Sequence, residues 1–143
     1  MASDRDLEEI RTLVSRQFSS LSWTDGGTPD WASFLEDFHP NAVLFPSARP
    51  VRPQSTDQFA ERMKDLVGST LRSFDEQVLG SFVRVYGSVA VAVVACENTE
   101  NASARNRNVE MMLLVKEAGR WRIAAQAWDK EAAGNPVTPR IWQ

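Results

Sequence analysis

The chain is poor in the residues that usually announce a chemistry. Its 143 residues include one cysteine, one histidine and one tyrosine. A lone cysteine, Cys96, rules out an internal disulfide and any multi-cysteine metal centre. It lies in the apolar run VAVAVVAC, the setting of a buried, inert thiol. With one histidine and no carboxylate cluster at ligand spacing, no metal site is expected, and without a Gly-rich phosphate loop no cofactor is expected either. Basic charge is scarce too: the net charge of −3 argues against a nucleic-acid-binding face, which needs clustered Lys and Arg. No apolar run approaches the ~20 residues that span a bilayer, so a membrane is not an expected partner. The first ten residues, MASDRDLEEI, are polar and acidic and do not read as a signal peptide. The expected location is therefore cytoplasmic, and the acceptor pattern Asn101-Ala102-Ser103 carries no weight.

What is present is enough for a core. Apolar residues make up 43% of the chain, and its length suits one domain over 1–143, with a core at about 4–130 and an irregular tail at 131–143. The first half reads as helices. Leu7, Ile10, Val14, Phe18 and Leu21 recur at spacings of three and four, and Ser3 with Asp6 resembles a capping box. Asp25-Gly26-Gly27 stops that helix. Thr28-Pro29 offers the next start, followed by the stripe Trp31, Phe34, Leu35 and Phe38, with Pro40 ending it. AVLFP is a brief strand, and Ser55 with Gln58 opens a third helix along Phe59, Met63, Leu66 and Val67.

The second half reads as strands. They are residues 74–86, VAVAVVACE, NVEMMLLVK and WRIAAQAWD, with tight turns at Gly87-Ser88 and Glu117-Ala118-Gly119 and a polar loop, NTENASARNRN, between the middle pair. The fold class is therefore α+β, with helices gathered on one face of a curved antiparallel sheet. VAVAVVA and VEMMLLV do not alternate apolar with polar, so both sheet faces should be covered, the second by another copy of the same sheet.

At this level the pattern resembles the nuclear transport factor 2-like superfamily, in its SnoaL-like and ketosteroid-isomerase-like branch. The residues that carry the resemblance are the first helix ending near SWTD, the segment DWASFLEDFHPNAVLF, the capped helix STDQFAERM and the closing hairpin LLVKEAGRWRIAAQAW. The resemblance implies a cone: a strongly bent antiparallel (cystatin-like) sheet wrapped by three N-terminal helices, with a pocket opening inside. It also implies a homodimer through the outer sheet face. Members include isomerases, cyclases, dehydratases, epoxide hydrolases and non-catalytic binding domains, so fold alone assigns no function.

The isomerases of that branch use a first-strand carboxylate, a tyrosine on the first helix and a protonated aspartic acid on a later strand. By the resemblance those positions fall at Phe45, at Gln17 or Phe18, and at or beside Met111. Phe45 cannot abstract a proton, so that mechanism is not expected. The remaining catalytic candidates are Glu110, Asp129 and His39. Glu110 is the one charge inside the most apolar strand, and burial would raise its pKa. Met111 and Leu113 are expected to face inward, which sends Glu110 outward. Asp129 ends the last strand, where it and another acid bridged by Arg84 could hold a water. His39, ahead of Pro40, reads mainly as a helix exit. The aromatic load points to a pocket for a small apolar or amphipathic molecule, lined by Phe18, Trp31, Phe34, Phe38, Phe45, Met63, Met111 and Trp128. Three readings stay open: a binder of such a molecule, an enzyme using a pocket carboxylate, and a dimerisation module with a filled cone.

Overall fold

A computed structural model describes residues 3–143. Helix α1 spans Asp4–Leu21, and the Ser3 hydroxyl caps it by accepting the Asp6 amide (3.1 Å). Its buried residues are Ile10, Leu13, Val14, Phe18 and Leu21, with two polar members, Gln17 and Ser20. Helix α2, Trp31–Glu36, is capped by Asp30, whose Oδ1 accepts the Ser33 amide (3.2 Å); the expected cap at Thr28 lies too early. Phe38 leaves the helix. It opens strand β1, Phe38–Phe45, because it pairs with Ile123 while the Asp37 carbonyl accepts the Ile123 amide (2.9 Å). His39 and Pro40 therefore belong to a strand and not to a helix exit.

A two-residue strand β2, Gln54–Ser55, precedes helix α3, Thr56–Leu66. The expected capping box is complete: Gln58 N–H donates to Ser55 Oγ (3.1 Å) and Ser55 N–H to Gln58 Oε1 (2.9 Å). Then come β3 (Phe74–Tyr86), β4 (Val89–Glu100), β5 (Ala104–Glu117) and β6 (Arg120–Lys130). They form one open six-stranded sheet in the order β2-β1-β6-β5-β4-β3. It is antiparallel throughout except that β1 lies parallel to β6, which makes it mixed. Irregular register between Val78 and Gly80 and between Leu113 and Leu114 bends the strands inward. Among the described residues, no helix is long and apolar enough to cross a membrane.

The polar run expected as a loop is mostly strand. Asn98 pairs with Asn106 and Glu100 with Ala104, so the turn shrinks to residues 101–103. Polarity there marks what the strands face, not a break in them.

The core lies between α1, α2 and the concave sheet face, with Ile10, Phe34, Leu44, Val94, Leu114 and Ile123 almost fully enclosed. Fully burying one such side chain is worth about 1.5–3 kcal/mol. Polar ties hold the helices in place. Asp6 Oδ1 accepts from Trp121 Nε1 (3.0 Å) and Lys116 Nζ (2.9 Å), and these bonds pull its pKa down to about 2. Arg16 forks onto Asp37, whose side chain is 1% exposed.

The outer face is apolar, as VAVAVVA and VEMMLLV imply. Tyr86, Val89, Val91, Met111 and Leu113 stand exposed on it. The tail is not detached from the sheet. Its 3-10 turn, Pro139–Ile141, returns to β3, and Trp142 sits so close to Gly80 that an added Cβ would lie 2.2 Å from the indole. Part of the outer face is thus covered by the chain's own C-terminus.

Candidate functional site

Toward the far ends of β3, β4, β5 and β6, the space between sheet and helices stays open. A cavity of about 390 Å³ lies there. Its apolar walls include Phe18 and Leu21 from α1, Phe34 from α2, Leu44 from β1, Phe59 and Met63 from α3, and Trp128 from β6. Phe34 stacks against Phe59 (5.7 Å between centroids), and Phe59 meets Trp128 edge-on (5.6 Å). The fixed rings define the width of the opening.

The floor of the cavity is polar, and Glu110 is at its centre. The expected orientation is reversed: Glu110 is 6% exposed and points in, while Met111 (58%) and Leu113 (47%) point out. The cause is strand parity. Met112 and Leu114 fill the core beneath α1, and Glu110 and Asn108 necessarily share their side. Met111 therefore leaves the set of lining residues.

Glu110 Oε1 accepts from Gln126 Nε2 (2.6 Å), and Gln126 Oε1 accepts from Gln17 Nε2 (2.7 Å). Its other oxygen lies 3.9 Å from Cys96 Sγ. On β4, Asn98 Nδ2 donates to Asn106 (3.1 Å) and Asn108 (3.0 Å). Glu76, opposite Asn98, brings a second carboxyl. One donor atom each from Glu76, Cys96 and Glu110 lie within 4.8 Å of one another. Sequence spacing hides this set because its members come from three strands. It is the group that could hold a small cation, with the carboxyls as its effective ligands. Burial, then the charges of Glu110 and Glu76, push the thiol far up, so Cys96 stays protonated.

The two carboxyls share one fate. Two negative charges about 5 Å apart repel by on the order of 3 kcal/mol even at an effective dielectric near 20. Burial drives Glu110 up to about 7, held back by hydrogen bonds led by the one from Gln126. Glu76 is half-buried as a residue, but its carboxyl is shut away beside Glu110. Burial first and the Glu110 charge second raise it well above the usual range. Near neutral pH the pair therefore retains a proton, and both a donor and an acceptor face the cavity.

The other expected residues are dispersed. Phe38 packs behind Phe34 (5.1 Å), and Trp31 lies outside the lining, edge-on to Phe34. Phe45 has the opposite parity to buried Leu44 and does not line the cavity, so the inward first-strand position is still apolar. Asp129 is exposed at the rim, with Oδ1 accepting the Lys130 amide (2.9 Å). Arg84 lies on the outer face over Phe82 (5.4 Å) and bridges no acids. His39 lies outside the lining, with its Nδ1 accepting the Asn41 amide (3.0 Å).

Sequence reasoning missed Gln126, Asn98, Asn108 and Glu76, and met Gln17 only as a position, shared with Phe18, that the resemblance assigns to the isomerases' tyrosine. A signal existed for two of them: Gln17 sits three and four residues from Val14 and Leu13 on the apolar stripe, and Gln126 alternates with Trp128.

No protein-family model and no curated protein matches the chain. Solved structures do. An NTF2-like protein of unknown function from Pseudomonas putida KT2440 has a TM-score of 0.75 at 12% identity, covering 96% of each chain. A cystatin-like protein of unknown function from Nostoc punctiforme has a TM-score of 0.73 at 12% identity, over 92% of this chain and 95% of that one. A candidate scytalone dehydratase from Novosphingobium aromaticivorans has a TM-score of 0.71 at 9% identity, over 90% and 85%. At these identities the likeness speaks to architecture, and the architecture of this chain is the NTF2-like, cystatin-like fold.

Proposed function

We propose that the cone binds a small amphipathic molecule, with its apolar body against Phe18, Phe34, Phe59, Met63 and Trp128 and its polar end on the floor around Glu110. The observation that carries this reading is a cavity with aromatic walls and a buried polar floor. Its volume, about 390 Å³, falls in the range of small-molecule sites. A thermal-shift screen with steroid-like, polyketide-like and terpene-like compounds tests it. A stabilising compound should lose its effect in Met63→Trp, which fills the mouth. Equal shifts in both proteins would place binding elsewhere.

Turnover by proton transfer is a second reading, favoured by the inward carboxyl pair. Glu76 and Glu110 offer an acid and a base at one point of the cavity, as an isomerisation or dehydration requires. If so, Glu110→Gln abolishes turnover and leaves the circular dichroism spectrum unchanged. The exposed outer face, from Tyr86 and Val89 to Met111 and Leu113, supports a homodimer. Sedimentation at micromolar concentration tests it, and a monomer there would count against it.

A further inference from the structure

We infer that the molecule taken by the cone carries a cationic nitrogen, a protonated amine on an aromatic or otherwise apolar body, and that the Glu76–Glu110 pair is its anion. This rests on the cavity-binding reading and specifies its ligand. Three features of the cavity point the same way.

The first is the charge balance with depth. Among the described residues, the cations lining the cavity are Arg62 of α3 and Lys130 of β6, both exposed at the mouth. The acids at the mouth are Glu100 of β4 and Asp129 of β6. Deeper in, the titratable groups are Glu76 of β3, Cys96 of β4 and Glu110 of β5, while α1 and β6 contribute the amides Gln17 and Gln126. The floor thus holds two carboxyls and no base. Buried carboxylates ordinarily have a counter-charge or give up their ionisation.

The second is the direction of the amide chain. Glu110 accepts from Gln126, which accepts from Gln17, so each amide turns its N–H toward the carboxyl and leaves an oxygen at the far end. Among the described residues, Gln17 Oε1 has no partner, and neither has Asn98 Oδ1 on the opposite flank. Both residues line the cavity and are more than nine-tenths buried, at 2% and 7% exposure. Two unused acceptors beside two carboxyls give the floor more acceptors than donors. An ammonium supplies three donors and no acceptor.

The third is the wall. Phe34, Phe59, Phe74 and Trp128 bring aromatic surface to the same cavity. Aromatic faces attract cations as well as apolar bodies. A bare metal ion would use the carboxyls but leave this surface and most of the volume unfilled.

The test is a matched set of probes with one ring system: tryptamine, tryptophol and indole-3-propionate, titrated calorimetrically into the intact protein at pH 7. Tryptamine is expected to bind at least tenfold tighter than tryptophol, with the carboxylate weakest. Its binding should release protons, seen as a heat that varies with the buffer's ionisation enthalpy. Glu110→Gln should bring tryptamine and tryptophol within about twofold of each other. Should that variant not fold, the wild-type order of the three probes decides alone. Tryptophol binding as tightly as tryptamine overturns the amine assignment and leaves the cavity reading standing. No binding by any of the three overturns both.

Discussion

The inner face of the sheet has two halves built from the same strands. In one half, Ala90, Ala92, Met112, Leu114 and Ile123 close against α1 and leave no space. In the other, Glu76, Asn98, Asn108, Glu110 and Gln126 occupy the same alternate positions and face a cavity. Parity is continuous along β4 and β5, so on these two strands nothing in the backbone marks the border; β3 shifts register near it, between Val78 and Gly80. Along β4 and β5, side-chain chemistry alone turns a core into a floor. The first half stabilises the fold. The second tolerates buried polar groups because they satisfy one another, apart from the two oxygens left free.

The sharpest way to break this comparison is one deletion in each half. Leu114→Ala in the closed half should cost about 2–5 kcal/mol, because a fully enclosed side chain leaves a void. Asn108→Ala in the open half should cost less, about 1–3 kcal/mol for the lost partner of Asn98. Urea denaturation compares them, and equal losses would mean that the halves do not differ energetically.

A pH series sharpens it next. The folded-state pKa of Glu110, about 7, lies above its ordinary value of 4.5. Its contribution is therefore complete below about pH 4.5 and is lost as pH rises to about 7, because the unfolded chain ionises first. Stability should fall across that window by up to about 1.4 kcal/mol per pH unit for this group and then level off. Glu76, also raised, adds to the same trend. Glu110→Gln should flatten the curve, whereas Leu114→Ala should lower it without changing its shape. A wild-type profile that rises from pH 4.5 to 7 would contradict the buried pair.

The outer face offers a smaller test. Gly80→Ala should displace Trp142 and cost about 1–3 kcal/mol. Adding Trp142→Ala should recover part of that loss, and an additive double-mutant cycle would show that the indole does not rest there. The smallest effect belongs to His39→Gln, within about 0.5 kcal/mol, since it removes one exposed hydrogen bond outside the cavity. Loss of ligand binding in that variant with the fold intact would return His39 to the site.

Local signals in the sequence carried most of the fold. Ser3, Ser55 with Gln58, and Ala118-Gly119 act over a few residues: Ser55 and Gln58 close the full box, Ala118-Gly119 turns the chain, and Ser3 caps α1 although Asp6 does not complete the box. The site was harder to read because it depends on parity and on pairing between distant strands. NVEMMLLV is apolar on both sides, so apolarity alone turns Met111 inward and Glu110 outward, the reverse of the structure. The orientation is set by Leu114 and Met112 against α1, an element nearly a whole chain away. Glu76 and Cys96 join Glu110 only through strand register, and Asn98 and Asn108 look like loop residues until the hairpin is known to continue past them.

The parallel pairing of β1 with β6 has a consequence for how the chain folds. Phe38 must find Ile123, and Leu44 must find Gln126, so an early strand waits for nearly the last one made. The β3–β4–β5–β6 meander can form through adjacent hairpins. Strands β1 and β2, whose one link to the rest of the sheet is β6, cannot dock until the chain has emerged past residue 127. Loop closure over that span is slow to be rewarded, and high contact order slows folding. During synthesis α1, α2 and β1 would therefore expose Phe18, Phe34 and Leu44 for longer than any other part of the core, and it is this N-terminal third that a chaperone would be expected to meet.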